Sequence, residues 1–108
     1  MTFYIKQNDT SPKIQATLKD GDGDIINLTD ATVRFHMRAI GATTTTTDAA
    51  ATVVSPATGG VVQYNWAAED TETVGSYQAE FEVEYGDGSI ETFPNNGYIR
   101  VEITDDIT

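Results

Sequence analysis

The stretch Gly75-Ser-Tyr-Gln-Ala-Glu-Phe-Glu-Val-Glu-Tyr85 decides the fold, because apolar and polar residues alternate along most of its length. The apolar set comprises Tyr77, Ala79, Phe81, Val83 and Tyr85. A period of two predicts a β-strand with one buried and one solvated face, whereas a helix would spread the intervening polar residues around its whole surface. We expect the rest of the chain to be organised around this strand.

The residues that follow predict a chain reversal and a broken return strand. Gly86-Asp87-Gly88 tolerates the positive φ that tight hairpin turns need. The apolar alternation resumes over residues 99–103. Between these two segments, Pro94 removes a backbone donor and Asn95-Asn96-Gly97 favours a turn or bulge. The sequence therefore predicts one long hairpin whose return strand is interrupted in the middle.

Shorter segments with the same alternation precede this hairpin. Strands are expected at residues 2–6, where an edge strand is predicted, and at residues 13–19, 32–38, 52–54 and 62–66. With the hairpin they give about seven or eight strands, separated by turn signals at intervals of roughly ten residues. This spacing predicts an all-β fold, an immunoglobulin-like antiparallel β-sandwich, with residues 1–108 forming a single domain.

Two other segments lack this alternation. Residues 40–51 are low in complexity and include five consecutive threonines, Thr43 to Thr47, so a flexible loop is predicted there. One helical turn is expected near residues 68–71.

The aromatic residues divide into two predicted groups by their place in the alternation. Tyr77 precedes Ala79 by two residues, as the tyrosine of an immunoglobulin-like corner precedes a cysteine, so only the tyrosine part of that pattern is present. The predicted core aromatics are Tyr64, Trp66, Tyr77, Phe81 and Tyr85. The predicted surface aromatics are Phe3, Tyr4, Phe93 and Tyr98.

The charge balance excludes several classes of partner. Six basic residues stand against 17 acidic ones, which gives a formal net charge of −11. Such a domain is repelled by nucleic acid and by anionic membrane surfaces, so neither is expected as a partner. No apolar segment approaches the roughly 20 residues of a membrane span, and the chain has no cysteine. Solubility, a basic partner and cation binding each remain open as uses of the acidity.

One segment, Asp20-Gly21-Asp22-Gly23-Asp24, has the alternating oxygen ligands that suit calcium. The EF-hand pattern requires glycine at its sixth position and glutamate at its twelfth, but Ile25 and Ala31 occupy those places. A plain hairpin turn is therefore predicted, with a weak calcium site of another type as the alternative. We expect no metal or other cofactor.

Catalysis is not predicted. His36 lies on the polar face of residues 32–38 with no nucleophile and orienting acid nearby, as a hydrolytic triad would need. The row Glu80, Glu82 and Glu84 suggests paired carboxylates, but an open sheet face lacks the cleft that acid catalysis requires. Arg34, His36 and Arg38 instead form a basic strand face, which we expect to lie beside an acidic strand in the same sheet.

Four segments taken in order form a recognisable set: residues 5–12, 28–38, 77–83 and 91–99. The most specific part is Thr92-Phe93-Pro94-Asn95-Asn96-Gly97-Tyr98-Ile99. Together these segments resemble the N-terminal domain of baseplate upper proteins from tailed bacteriophages, an immunoglobulin-like sandwich. The resemblance implies a virion structural protein of the tail, baseplate or neck, made in the host cytoplasm and incorporated into the virion.

In that family the module commonly anchors a longer protein to the particle, and a C-terminal part carries the receptor-binding machinery. This chain ends at Thr108, so the resemblance implies the anchoring role alone, and it offers no catalytic residue. The predicted partners are other phage structural proteins, for which a basic contact surface is expected, and copies of this chain in a homo-oligomer within the particle. The alternative is a carbohydrate- or host-surface-binding domain. The candidate contact residues are Phe3, Tyr4 and Ile5, because their edge strand carries little protection.

Overall fold

A computed structural model describes residues 2–107 and shows an all-β protein. Its eight strands are β1 (Thr2–Lys6), β2 (Ile14–Thr17), β3 (Thr32–Ala39), β4 (Thr47–Val53), β5 (Val61–Tyr64), β6 (Gly75–Glu84), β7 (Ile90–Phe93) and β8 (Ile99–Thr104). Single turns of 3-10 helix lie at Ala57–Gly59 and Ala68–Thr71, and the second of these was predicted. Neither turn in this part of the chain is long or apolar enough to cross a membrane.

Two sheets that share β4 enclose the core. The front sheet has the strand order β1-β8-β6-β3-β4, with β7 paired to β6, and the back sheet has the order β4-β5-β2. Strand β4 passes from one to the other, because residues 47–51 pair with β3 whereas Thr52 and Val53 pair with β5. All strand pairs are antiparallel except β1 with β8. The predicted all-β sandwich is confirmed.

The predicted interrupted hairpin is also present. Strand β6 pairs with β7 at one end, where Phe81 lies opposite Phe93, and with β8 at the other, where Ala79 lies opposite Ile99. The two halves of the return strand thus lie beside the same partner, on either side of the break predicted at Pro94. The hairpin places β6 between β3 and the return strand, at the middle of the front sheet.

Aromatic side chains from both sheets meet in the core. The ring of Phe35 on β3 stacks on Tyr64 of the back sheet with centroids 4.6 Å apart, and it contacts Phe81 at 5.2 Å and Trp66 at 5.5 Å. Tyr77 is buried and its hydroxyl donates to the Thr73 carbonyl oxygen at 2.7 Å. That bond to backbone a few residues upstream is the tyrosine corner of immunoglobulin-like sandwiches.

Three sequence-based expectations require correction. Residues 40–51 are not all loop, because β4 begins at Thr47. Phe93 was expected at the surface but is buried, since its register opposite Phe81 directs it to the inner face. Tyr85 lies just past the end of β6 and is only half-buried, and its hydroxyl donates to Glu91 at 2.7 Å.

Candidate interaction surfaces

The three candidate contact residues occupy one strand but differ in exposure. Strand β1 is at the end of the front sheet, as predicted, and its outer edge is unpaired among residues 2–107. Tyr4 is 69% exposed, Phe3 is half-buried and Ile5 is part of the core. Of the three side chains, only that of Tyr4 is therefore fully available to a partner.

The inner side of β1 is fixed in place by packing. Ile5 lies opposite Ile103 in the parallel pairing with β8, and both side chains are buried. The Phe3 ring contacts Trp66 with centroids 5.9 Å apart. Strand β1 is therefore an integral part of the sandwich that presents one aromatic side chain and one backbone edge to solvent.

A polar surface covers the outer side of the front sheet, which we call the arginine face. It contains all three arginines of the chain, Arg34 and Arg38 on β3 and Arg100 on β8. The other members are Asp48 on β4, His36 on β3, Ser76, Gln78, Glu80, Glu82 and Glu84 on β6, and Glu102 on β8. The predicted placement of a basic strand beside an acidic one is confirmed, since Arg34 lies opposite Glu82 and His36 opposite Glu80.

Hydrogen bonds on one half of the arginine face link β4, β3 and β6. The Arg34 guanidinium lies 2.8 Å from the Asp48 carboxylate and also donates to the Asp48 carbonyl oxygen. The His36 ring lies between two carboxylates, 3.3 Å from Asp48 and 3.4 Å from Glu80. Arg34 beside Asp48 holds the pKa of that carboxyl below its usual range.

The other half links β3, β6 and β8. Arg38 donates to Gln78 at 3.2 Å and to the Tyr98 hydroxyl at 3.2 Å, and its guanidinium lies 5.3 Å from the Tyr98 ring centroid, a cation–π distance. Glu102 accepts from Ser76 at 2.7 Å and from Arg100 at 2.6 Å. The hydrogen bond from Ser76, the larger effect, and that from Arg100 lower the pKa of the Glu102 carboxyl.

The arrangement around His36 does not form a hydrolytic triad. Within the described chain its ring contacts two carboxylates, so it has no hydroxyl nucleophile as a partner. Glu80 binds this ring, whereas Glu84 is exposed at the end of β6. The glutamate row and His36 thus belong to a cross-strand ionic network of the kind that supports a sheet surface.

The aspartate-rich segment forms the predicted turn. The side chain of Asp20 accepts from the backbone N–H groups of Asp22 at 2.9 Å and Asp24 at 3.0 Å, and the Asp20 N–H donates to the Asp24 carbonyl oxygen. One carboxylate oxygen from each of the three aspartates lies within 4.8 Å of the others. The bonds within the turn account for the position of Asp20 without a ligand.

The four aromatic residues that were expected at the surface are not all exposed. Of the four that were expected at the surface, Tyr4 and Tyr98 are exposed, while Phe3 packs on Trp66 and Phe93 is in the core. A recess of about 140 Å³ lies beside Tyr98 and is lined in part by His36 and Arg38. Its polar groups are engaged with one another, as described above.

One residue that holds the sandwich together was missed from the sequence. The Asp70 carboxylate accepts from the Tyr64 hydroxyl at 2.6 Å, the Ala67 N–H at 2.8 Å and the Thr47 hydroxyl at 3.1 Å. Burial and this bond raise the pKa of the Tyr64 hydroxyl. Asp70 thereby connects β4, β5 and the second 3-10 turn. The Ala67-x-x-Asp70 spacing resembles a capping box. That pattern has Ser or Thr at its first position, so a sequence with alanine there does not match it.

Comparison with protein families identifies the family of this chain. The family model of the BppU N-terminal domain matches residues 2–106. The chain belongs to this family. It is therefore a phage baseplate structural domain and a virion component, as the resemblance implied.

Two further comparisons concern sequence relatives and fold. No curated protein matches the chain by sequence. Among solved structures, the chain is similar to CopC from Methylosinus trichosporium OB3b, with 11% sequence identity and a TM-score of 0.55. That match covers 99% of this chain and 87% of the other. At this identity the likeness shows a shared sandwich fold.

Proposed function

We propose that this BppU N-terminal domain is a non-catalytic docking module that binds another structural protein of the baseplate through the edge of β1. The observation that carries this proposal is Tyr4, a 69% exposed tyrosine on a terminal strand whose core-facing side is fixed by Ile5. A rigid strand with a free edge and one projecting aromatic side chain is well suited to binding a protein surface or an extended segment.

Backbone groups on the outer side of β1 support the same function. A terminal strand presents N–H and C=O groups that a partner strand can pair with, and soluble proteins commonly protect such edges with charge, proline or bulges. Strand β1 contains no proline, and Lys6 at its end is its one charged residue. The edge is therefore open over Thr2–Lys6.

The charge of the domain favours a partner with a basic contact surface. The net charge is −11, and Asp9, Asp105 and Asp106 lie close in sequence to β1 and β8. A basic partner surface would be attracted over the Debye length and would lower the repulsion between neighbouring acidic domains in a particle.

The test replaces Tyr4 alone, because removal of the whole strand would also uncover the core around Ile5 and Trp66. In particles assembled with full-length protein, Tyr4→Ala is expected to reduce incorporation at least tenfold, while Tyr4→Phe, which keeps the ring, remains near wild type. Thermal unfolding of both variants checks that the fold is intact. Normal incorporation of a folded Tyr4→Ala protein would place the contact elsewhere.

A further inference from the structure

We propose that the arginine face is a self-association surface, on which a second copy of this chain docks face to face about a twofold axis. The proposed twofold axis lies between β3 and β6, whereas the docking site proposed above is the outer edge of β1, at the end of the same sheet beyond β8. The two proposals therefore concern different residues and different partners.

Opposite charges on the arginine face are sorted by strand. Strand β3 presents Arg34, His36 and Arg38, and its neighbour β6 presents Gln78, Glu80, Glu82 and Glu84. In their register, Arg34 lies level with Glu82, His36 with Glu80, and Arg38 with Gln78. The basic column and the acidic column thus run side by side along the strands.

This sorting makes the face complementary to itself. A twofold axis parallel to the strands and midway between β3 and β6 places β3 of each copy over β6 of the other, at the same level. Arg34 of one copy then faces Glu82 of the second, and His36 faces Glu80, twice each in an isologous contact. The two Arg34–Glu82 contacts bring opposite charges together and thereby fix the register and orientation of the two copies.

Side chains in the centre of the face retain capacity for such contacts. Arg34 turns toward Asp48 and uses Nε and Nη2 there, and its side chain is still 48% exposed. A guanidinium has five donors, so Nη1 remains for a second carboxylate. Glu82 lies opposite Arg34 yet forms no ion pair within the chain from residue 2 to residue 107.

The distribution of charge over the molecule favours this face over others. All three arginines share it with five carboxylates, those of Asp48, Glu80, Glu82, Glu84 and Glu102. The other twelve acidic residues are accompanied by three lysines. With His36 neutral, the arginine face carries a formal charge of −2 and the rest of the chain −9, so two copies that approach through the arginine face meet the least repulsion.

A charge-exchange experiment tests the proposal with the full chain. Analytical ultracentrifugation over a concentration series is expected to show a wild-type dimer. Arg34→Glu sets Glu against Glu82 of the second copy, and Glu82→Arg sets Arg against Arg34, so each variant alone is expected to associate at least tenfold more weakly. In an equimolar mixture of the two variants, position 34 of each copy faces a residue of opposite charge at position 82 of the other. A heterodimer is therefore expected to form.

The mixture also serves as the control for folding, because misfolded variants would not recover association when combined. A wild-type protein that sediments as a monomer at every concentration overturns the proposal. So do single variants that dimerise as tightly as wild type, or a mixture that remains monomeric. Tyr4→Ala, the variant that tests the docking function, is expected to leave the dimer unchanged, so that the two proposals fail independently.

Discussion

At the scale of single residues, the core depends on a few aromatic rings. Phe81 is fully buried on β6 and contacts Phe35, which in turn contacts Tyr64 and Trp66. Trp66 is buried as well, but its Nε1 has no hydrogen-bond partner among the described residues, so part of its burial is offset by a desolvated donor. Phe81 is therefore the clearer measure of how strongly the core stabilises the fold.

Phe81→Ala is expected to lower the free energy of unfolding by about 3–5 kcal/mol, because it leaves a cavity between two sheets that cannot close freely. Urea denaturation followed by tryptophan fluorescence measures the loss. Tyr4→Ala, which removes a ring of similar size from the surface, is the matched control and is expected to change stability by less than about 0.5 kcal/mol. A loss below about 1 kcal/mol for Phe81→Ala would contradict its place in the core.

Glu102 is expected to contribute to the pH dependence of stability. Hydrogen bonds from Ser76 and Arg100 lower the pKa of its carboxyl in the folded state. A lowered pKa stabilises the fold above the ordinary glutamate pKa of about 4.3, and this contribution is lost as the pH falls through the folded-state value. Glu102→Gln is therefore expected to reduce the acid-side decrease in melting temperature between about pH 5 and pH 3.

Ser76→Ala provides the companion measurement, since it keeps the carboxylate and removes its first donor. The acid-side decrease in melting temperature of Ser76→Ala is expected to be intermediate between those of the wild-type protein and Glu102→Gln. If the melting temperature of Glu102→Gln decreases at acid pH as much as that of the wild-type protein, other carboxyl groups account for the acid sensitivity.

At the scale of secondary-structure elements, the corner between β2 and β5 is tightly constrained. Gly60 has a φ of +68°, which disfavours residues with a side chain. A Cβ at this position would lie 2.7 Å from Ile25 Cγ2 and 2.9 Å from the Ile26 carbonyl oxygen. The Gly60 carbonyl oxygen accepts from the Leu18 N–H, so any shift of this backbone also disturbs the pairing of β2 with β5.

Gly60→Ala is expected to destabilise the protein by more than about 1–2 kcal/mol, the cost of the left-handed conformation alone. Gly59→Ala is the neighbouring control, because a Cβ there would meet only Pro56 Cγ at 4.0 Å and its φ is not positive. Urea denaturation of the two variants separates the effects. Equal stabilities would show that the corner can rearrange.

At the scale of the whole molecule, net charge opposes any association between copies. The Cα radius of gyration is 14.0 Å, so most charges of two docked copies are separated by more than a Debye length at physiological salt. Ion pairs within an interface are shorter than that length and are screened much less. Salt therefore removes more of the repulsion between copies than of the attraction at a contact.

Self-association of the domain is accordingly expected to strengthen as ionic strength rises from about 0.01 M to about 0.15 M, over which the Debye length falls from about 30 Å to about 8 Å. Sedimentation equilibrium across this range measures the dissociation constant. Weaker association at the higher salt would indicate that attraction between the charges outweighs the net repulsion of −11 on each copy.

The sequence by itself determined the elements whose residues interact with near neighbours. Alternation over β6 predicted its two faces, and Gly86-Asp87-Gly88 and Pro94 predicted the turn and the break of the hairpin. These features follow from local backbone preferences and from the period of two, which a linear pattern contains completely. The burial of Tyr64, Trp66, Tyr77 and Phe81 was predictable for the same reason.

The tertiary structure alone decided how distant segments pair. A strand was predicted at residues 52–54, but the first five residues of β4 were assigned to a loop, because Ala49, Ala50 and Ala51 give both faces the same small side chain. The conformation of β4 is fixed by its pairing with β3 and β5. The parallel pairing of β1 with β8 set Ile5 inside and Tyr4 outside. Such registers depend on packing between residues far apart in the chain, which no local pattern specifies. The pairing of β6 with β3 and with β8 likewise placed Arg100, Glu102 and the β3 arginines on one face.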